Sequence, residues 1–384
     1  MEGLESISSE HKTEKEKRKE AAKKAWETIR RKRKLEKAEE ARTIAKIESF
    51  IRPSQMARIK HPEDISPLVP QKVPRKVYSE KIIRPFHKAP PDIVCGKFWE
   101  LRWAFGCPLG CAYCYLRGTY RGKISPPYYV RIDHVLKALD EMFNDEKFND
   151  GKPAIINSGE LADSLMNPGL MEKIADKFEE QNKHKLLILT KFGTKNIMPL
   201  LKKTRRQTIC AWSINAPKVA RLWERNAPKI DDRIEAARLA KESGYIVWIR
   251  IDPIFPIEDW QDHYEYLLLK IFHKLTPDRI ILGTPRGLWK TIHYAKKAGV
   301  DLSWTEFFKP GEKTGWGLKL PFETRKEIYT FMREKLEEIG YDVNKRLSIC
   351  KETIKMWDSL KWTYYPGECQ CYGNHVLEQL ESVS

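Results

Sequence analysis

The sequence predicts an α/β fold, a partial parallel (β/α)6 barrel of the TIM type with a basic N-terminal helical arm and a C-terminal extension. Short apolar runs alternate with amphipathic helical stretches from Phe98 onward, which is the pattern of parallel βαβ units. Six such runs favour a partial or complete barrel over a small sheet. The runs are FWELRWAF, AIINS, LLILTKF, TICAWSIN, IVWIRIDP and RIILGTP, and the helical stretches between them include RIDHVLKALDEMF, GLMEKIADKFEEQ, DDRIEAARLAKES and DHYEYLLLKIFHKL.

Two segments precede the predicted barrel core of residues 95–310. Residues 1–50 are predicted to form the basic helical arm, because residues 10–50 contain no Gly or Pro and many helix formers. We weigh two roles for this arm, docking on phosphates and a solvated charged helix without a specific ligand. Residues 51–94 are rich in proline, which breaks helices, and are predicted to be a linker or a strap on the core. Residues 311–384, with the helical stretch ETRKEIYTFMREKLEEIG, form the predicted C-terminal extension.

Charge and composition narrow the class of protein. The formal net charge of +17 points to a polyanionic partner, with nucleic acid as the first candidate. The alternative is a Lys- and Glu-rich surface, as in thermophile proteins, that happens to be basic. No run of 18 apolar residues and no apolar signal-peptide core are present, so we expect a cytoplasmic protein without membrane contact. Its eight cysteines are then expected to be ligands, reactive thiols or core residues rather than disulfides.

Three cysteines in the stretch FGCPLGCAYCYLRGTY carry the strongest chemical signal. Cys107, Cys111 and Cys114 have the spacing C-x3-C-x2-C. A structural zinc site needs four ligands, whereas a [4Fe–4S] cluster held by three thiolates leaves one iron without a protein ligand. The spacing, with the aromatic Tyr113 before the third cysteine, is typical of radical enzymes in which that iron binds S-adenosylmethionine. The alternative is a zinc loop completed by a distant residue.

Polar motifs at the ends of the apolar runs are candidates for binding this cofactor, since parallel folds gather their chemistry at the carboxyl ends of strands. Glu160 is placed to accept a hydrogen bond from the methionyl ammonium group, or to cap a helix in an ordinary turn. Lys191 is placed to pair with the methionyl carboxylate. The predicted cofactor-binding residues are Tyr113, Ser158, Gly159, Glu160, Lys191, Ser213 and Asn215.

Several segments together resemble the spore photoproduct lyase family of radical S-adenosylmethionine enzymes. They are GCPLGCAYCYL, LTKF, WSINAPKVARLWERNAP, RIEAARLAKESGY and ICKETIKMW, in family order over roughly residues 95–372. The resemblance implies a light-independent enzyme whose adenosyl radical abstracts hydrogen from a methylene-bridged thymine dimer. It implies that Tyr113 lies near the cofactor and that Tyr115 relays a radical. With Glu160, these are the expected catalytic residues.

The sequence departs from the family at one position that bears on the reaction. The family carries a hydrogen-donating cysteine after its second strand, whereas the corresponding segment here is NSGELADSLM. We therefore expect nucleic-acid chemistry with a different final step or substrate, with DNA favoured over RNA. We expect a monomer that receives electrons from a donor such as a flavodoxin or ferredoxin. Two alternatives are a radical enzyme acting on a peptide or small molecule and a non-enzymatic zinc-bearing nucleic-acid-binding module.

The remaining cysteines and the charged residues near the predicted rim are less specific. Cys350, Cys369 and Cys371 are candidates for a second metal or a substitute hydrogen donor, or belong to a packed tail. Cys210 lies in an apolar run and is predicted to be a core residue, and Cys95 has no evident partner. We further expect Arg250 and Asp252 to point into the barrel together, and Arg286 to meet a phosphate or form a structural ion pair.

Overall fold

The computed structural model describes residues 82–86, 89–145 and 147–381. All of them belong to the second of two compact units, Val73–Ser384. The predicted arm over residues 1–50 and most of the predicted proline-rich segment 51–94 lie outside the described residues. No helix of the described part is long and apolar enough to cross a membrane.

The described residues alternate strands and helices. The strands are β1 (Ile83–Phe86), β2 (Ile93–Val94), β3 (Phe98–Leu101), β4 (Ala104–Phe105), β5 (Tyr128–Tyr129), β6 (Ile155–Asn157), β7 (Lys185–Thr190), β8 (Thr208–Ser213), β9 (Ile246–Ile251), β10 (Arg279–Leu282), β11 (Glu312–Thr314), β12 (Gly317–Lys319), β13 (Leu347–Ile349) and β14 (Glu352–Thr353). The α-helices are α1 (Leu116–Thr119), α2 (Ile132–Phe143), α3 (Pro168–Phe178), α4 (Thr194–Ile197), α5 (Pro217–Trp223), α6 (Ile230–Glu242), α7 (Trp260–Phe272), α8 (Trp289–Lys297), α9 (Phe322–Glu338), α10 (Val343–Arg346), α11 (Ile354–Leu360) and α12 (Asn374–Glu381).

One eight-stranded sheet organises the fold. Its order is β1-β3-β6-β7-β8-β9-β10-β13, and all neighbours are parallel except the antiparallel pair β1 and β3. The predicted α/β class with a mostly parallel sheet is confirmed, and each of the six predicted runs contains one of its strands. Within the described residues the edge strands β1 and β13 do not pair, so the sheet is open rather than a closed barrel.

The central strands are largely apolar, as expected for parallel strands that are buried on both faces of the sheet. Leu186, Leu187 and Ile188 are successive residues of β7, so they point to alternate faces, and all three are fully buried. Asn167 caps α3 by accepting a hydrogen bond from the Leu170 amide at 3.2 Å. The sheet therefore forms a rigid frame whose carboxyl edge presents the loops described below.

The C-terminal extension contributes to the sheet itself. The predicted helix is present as α9, and β13 pairs with β10 in parallel. A buried ion cluster fixes the region: the Glu352 carboxylate lies 2.6 Å from Lys319 Nζ and 3.1 Å from Arg325 Nε. All three side chains are at least 99% buried, so the cluster ties β12, α9 and β14 of the extension to one another.

Candidate functional site

A cavity of about 690 Å³ opens at the carboxyl edge of the sheet. Loops that follow successive strands line it, which places residues distant in sequence around one space. The cysteine loop, defined as residues 105–120, follows β4 and supplies one wall. The lining residues after the parallel strands include Gly159, Glu160, Asp163, Lys191, Ser213, Asp252 and Arg286.

The cysteine loop is fixed by its own backbone and by Arg117. The guanidinium of this buried arginine donates to the Gly110 carbonyl at 2.7 Å. The Cys107 amide donates to the Ile124 carbonyl at 2.7 Å, and Gly106, with φ +91°, has no room there for a Cβ. Cys107, Cys111 and Cys114 all line the cavity. The predicted grouping of these thiols on one cavity is therefore present.

The donor set at the cysteine loop fits an iron–sulfur cluster. Burial raises the pKa of Cys111 to about 12, so this thiol ionises only when a positive group binds it. In the described part of the chain, no group of three or more His, Cys, Asp or Glu side chains is arranged to hold a single metal ion. A zinc ion needs its ligands around one point, whereas the thiolates of a four-iron cluster bind separate irons. Three thiols that line a cavity of about 690 Å³ match the ligand arrangement of a four-iron cluster.

A buried carboxylate, Glu224, lies behind the cysteine loop and was not predicted from the sequence. It accepts a hydrogen bond from the Tyr113 hydroxyl, and its two oxygens lie 3.4 Å from Lys191 Nζ and 2.6 Å from Arg233 Nη1. Burial alone raises the pKa of Glu224, but Lys191 and Arg233 outweigh it and hold the pKa at about 2. Lys191 also lies 5.9 Å from the centre of the Tyr113 ring. Glu224 therefore links two predicted cofactor residues. No sequence signal distinguished it from the surface acids around it.

Glu160 meets a residue of the C-terminal extension. Its Oε1 lies 3.4 Å from Lys351 Nζ, and its backbone carbonyl accepts a hydrogen bond from the Tyr115 hydroxyl. The Lys351 ammonium is 4.9 Å from the centre of the Trp316 ring, within the range of a cation–π contact. The predicted catalytic residues Tyr115 and Glu160 thus lie side by side on the cavity wall, with Lys351 as an unpredicted neighbour.

Asp163 is a second lining residue that sequence reasoning missed. Its carboxylate accepts hydrogen bonds from the Thr190 hydroxyl at 2.7 Å and the Lys191 amide at 2.7 Å. These contacts tie the loop after β6 to the end of β7. Burial raises the pKa of Asp163, opposed by these hydrogen bonds. Its position in the segment SGELAD is the only sequence signal, because it follows the same strand as Glu160.

Two predicted cofactor residues do not line the cavity. The Ser158 hydroxyl is buried and donates to the Leu187 carbonyl at 2.8 Å. The Asn215 amide donates to the Pro253 carbonyl at 2.8 Å and accepts from the Tyr264 hydroxyl at 2.8 Å. Both side chains hold neighbouring loops of the sheet edge in this structure. Gly159 and Ser213 do line the cavity, as does the predicted set Tyr113, Glu160 and Lys191.

The charged residues at the ends of β9 and β10 form one group. Arg250 Nη2 donates to Asp252 at 2.7 Å, and Arg286 Nη2 lies 3.0 Å from both oxygens of the same carboxylate. Burial raises the pKa of Asp252, but Arg286 and Arg250 reverse the effect and hold it well below its usual range. The predicted pairing of Arg250 with Asp252 is present. Arg286 lines the cavity while anchored by Asp252, so both of its predicted roles are compatible with this geometry.

Comparisons with known proteins agree with this architecture. The family model described as "Spore photoproduct lyase" matches residues 98–281. Spore photoproduct lyase from Clostridium acetobutylicum is 28% identical over 183 residues, 46% of this chain and 52% of that protein. The Bacillus subtilis protein of the same name is 27% identical over 182 residues, 47% of this chain and 52% of that protein. The chain thus matches about half the length of these curated relatives.

Solved structures show the same fold. A spore photoproduct lyase complexed with dinucleoside spore photoproduct aligns with a TM-score of 0.53 at 20% identity, covering 62% of this chain and 73% of that one. A mutant of the same enzyme with bound AdoMet and dinucleoside spore photoproduct aligns at 0.54 and 19% identity, covering 66% and 76%. The sheet thus belongs to an α/β fold that these solved structures share. Over residues 98–281 the chain is therefore similar to spore photoproduct lyases.

Proposed function

We propose that this protein is a radical S-adenosylmethionine enzyme that acts on a photoproduct or modified base in DNA. The observation that carries the proposal is a shared cavity. Cys107, Cys111 and Cys114 face the same space as Glu160 and Lys191. The three thiolates would hold a [4Fe–4S] cluster, and the opposite wall would hold the methionyl group. When bound, this pair supplies a 5′-deoxyadenosyl radical that abstracts hydrogen from the substrate.

The lining residues have distinct roles in this proposal. Glu160 accepts from the methionyl ammonium, and Lys191 presents its ammonium to the methionyl carboxylate while Glu224 holds it in place. Gly159 allows the end of β6 to lie close to β7, because a Cβ on this residue would lie 2.6 Å from Leu189 Cβ. Ser213, at the end of β8, is the remaining hydroxyl on that wall.

Substrate binding is proposed at the part of the cavity lined by Phe86 and Trp316. Their ring centres lie 5.9 Å apart and the rings are stacked, with 26° between their planes. Lys351 lies against both rings, so an aromatic platform and a cation are combined. Nucleobases stack on such rings, and the cation suits a phosphate. The two solved structures of spore photoproduct lyase with dinucleoside spore photoproduct support DNA as the polymer.

The final hydrogen transfer is proposed to differ from that of the family. The loop after β6 contains no cysteine, and Leu161 and Ala162 line the cavity there. Tyr115 lines the same wall, and its hydroxyl donates a hydrogen bond to the Glu160 carbonyl. We propose that Tyr115 relays the hydrogen atom, with Tyr113 packed beside the cofactor.

The test is an anaerobic assay for 5′-deoxyadenosine. The full chain is reconstituted with iron and sulfide, then mixed with dithionite and S-adenosylmethionine, with and without ultraviolet-damaged DNA. The proposal expects 5′-deoxyadenosine whose yield rises with damaged DNA. If the yield of 5′-deoxyadenosine does not change with damaged DNA, the proposed cofactor cleavage stands and DNA is excluded as the substrate. An intact four-iron cluster without product would overturn the proposal.

Two matched variants sharpen this assay. Tyr115→Phe removes only the hydroxyl, so it should leave 5′-deoxyadenosine formation intact while lowering conversion of damaged DNA. Tyr294→Phe, on α8 outside the cavity lining, is the control and should leave both products at the wild-type level. If wild type and Tyr115→Phe convert damaged DNA equally, Tyr115 does not relay the hydrogen atom.

A further inference from the structure

Helix α8 begins with the most exposed large apolar side chain in the part of the chain that the structure describes. Trp289 is 69% exposed, and its ring centre lies 6.1 Å from that of His293, one turn later. Lys290 Nζ lies 5.9 Å from the centre of the Trp289 ring. Single exposed rings are common on protein surfaces, but this ring lies within a basic surface that has no acids of its own.

The exposed side of α8 carries this basic surface. Residues 279–300 contain no Asp or Glu. The acids that bound this range are engaged elsewhere, since Asp278 pairs with Lys241 at 2.6 Å and Asp301 accepts from the Ser303 amide at 2.8 Å. The positive charge of α8 is therefore not balanced by acids of its own segment. We call its five exposed residues the α8 face: Trp289, Lys290, His293, Lys296 and Lys297.

The segment that packs against α8 has the same charge pattern. Residues 101–132 contain no Asp or Glu, and Arg121 and Lys123 are exposed within them. A Cβ on Gly122, between these two cations, would lie 3.9 Å from the Tyr294 ring of α8. Helix α1 of the same segment also packs on α8. Two basic segments without acids therefore lie side by side, which favours a polyanionic partner.

The α8 face begins at the rim of the large cavity. Arg286 and Leu288 line this cavity, and Trp289 follows Leu288 directly. A polymer that leaves the cavity past Leu288 therefore reaches Trp289 next. From Trp289 to Lys297 the helix rises about 12 Å, which is the length of three to four nucleotide steps of about 3.4 Å each.

We propose that the α8 face binds the single DNA strand that flanks the base held in the large cavity. Lys290 and Lys297 contact its phosphates, and Trp289 stacks on one of its unpaired bases. Rings beside cations bind single strands in this way without reading their sequence. Enzymes that act on a base take it out of the duplex or use a single strand. This role of α8 rests on the DNA substrate proposed above and adds the path of the strand.

A second exposed pair of an aromatic ring and a lysine lacks this setting. Tyr266 on α7 is 38% exposed, and Lys270 Nζ lies 5.4 Å from the centre of its ring. Helix α7 also carries Asp262 and Glu265, and Lys270 forms an ion pair with Asp231. Because these acids oppose the approach of phosphates, the pair on α7 is not expected to bind DNA.

The test is fluorescence anisotropy with the full-length reconstituted protein and a labelled single-stranded oligothymidylate of about 12 nucleotides. Trp289→Ala should weaken binding at least about fivefold without changing its salt dependence, because stacking releases no counter-ions. Lys290→Ala/Lys297→Ala should reduce the slope of log affinity against log salt by about 1.4, since each phosphate contact on a single strand contributes about 0.7. A purely structural role of these lysines would leave the slope unchanged.

Two variants are matched controls. Tyr266→Ala removes the exposed ring of α7, and Lys137→Ala/Lys173→Ala removes two exposed lysines from α2 and α3. Both should bind the oligonucleotide with wild-type affinity and salt slope. Every variant should form 5′-deoxyadenosine at the wild-type level without DNA, because none of the substituted residues lines the large cavity.

Four results would overturn the role of the α8 face. The first is a wild-type chain that does not bind the oligonucleotide at low salt. The second is wild-type affinity and salt slope in both Trp289→Ala and Lys290→Ala/Lys297→Ala. The third is equal weakening in the control variants. The fourth is tighter binding of oligouridylate through the same residues, which would assign the surface to RNA.

Failure of this surface and failure of the proposed reaction have different signatures. If damaged DNA raises the yield of 5′-deoxyadenosine but the α8 variants bind as wild type does, the α8 face is wrong and the reaction stands. If the α8 variants lose affinity but no DNA raises that yield, the surface stands and the proposed reaction is wrong.

Discussion

Replacing Glu224 by glutamine tests whether the buried charge network organises the site. The substitution keeps the shape of the side chain and removes one negative charge. Lys191 and Arg233 then lack their shared counter-ion, and Tyr113 loses a charged acceptor. Removing one partner of a buried ion pair costs about 3–5 kcal/mol. We therefore expect Glu224→Gln to be among the more destabilising polar substitutions in the core.

The pKa of Glu224 gives a second, independent magnitude. A pKa lowered from 4.5 to about 2 corresponds to about 3 kcal/mol in favour of the ionised form. Since the folded-state pKa is lower than the unfolded one, this stabilisation is complete above pH 4.5. It is lost as the pH falls from there towards about 2. The stability difference between wild type and Glu224→Gln should therefore be constant near neutral pH and shrink only below about pH 4.5.

The assay is equilibrium unfolding of the metal-free protein in guanidinium chloride, because bound clusters make unfolding irreversible. Glu258→Gln is the matched control, since its side chain is 87% exposed and lies 3.9 Å from Lys218. The control should change stability by less than about 0.5 kcal/mol. If Glu224→Gln is within about 1 kcal/mol of wild type at pH 7, or if the difference already shrinks at pH 6, the proposed charge network is wrong.

Four further predictions use simpler measurements. Cys114→Ala should abolish both the brown cluster and 5′-deoxyadenosine, and full iron content in that variant would count against the ligand assignment. Gly159→Ala should cost about 1–3 kcal/mol in thermal unfolding, because its Cβ would meet Leu189 at 2.6 Å, whereas Gly169→Ala has no neighbour closer than 3.9 Å. Glu352→Gln should cost about 3–5 kcal/mol, because it leaves the buried Lys319 without its carboxylate partner and Arg325 with Glu312 alone. Deleting residues 1–50 should spare cofactor cleavage and weaken binding to DNA at low salt, and unchanged affinity would exclude the arm from binding.

Sequence reasoning succeeded where the signal was local and periodic. The six core strands were predicted because buried parallel strands are short continuous apolar runs between helical stretches. The cysteine loop was predicted because its chemistry depends on spacing within eight residues. Gly159, Glu160, Lys191 and Ser213 were then placed on one edge by a general rule for parallel sheets. All four line the cavity with the three cysteines.

The missed features depend on contacts between distant segments. Strands β1 and β13 are four and three residues long, too short to show a period. Glu224 follows a seven-residue helix and has the same local setting as a surface acid, so its role depends on Lys191 and Arg233. Ser158 and Asn215 were placed on the correct strand ends, but the direction of each side chain was set by neighbours such as Leu187 and Pro253. A periodic sequence pattern predicts where a residue lies along a strand, but it does not predict which neighbouring group its side chain contacts.

The C-terminal extension belongs to the site rather than covering it. Its β13 extends the sheet, its hairpin brings Trp316 to the cavity, and Lys351 reaches Glu160 across 3.4 Å. Glu160 lines both the large cavity and a smaller one lined by Cys95, Cys350, Cys369 and Cys371, so its environment depends on the cysteine loop and on the C-terminal extension together. Because Lys351 Nζ lies 3.4 Å from Glu160 Oε1, displacing the segment that carries Lys351 would remove this counter-ion from the carboxylate.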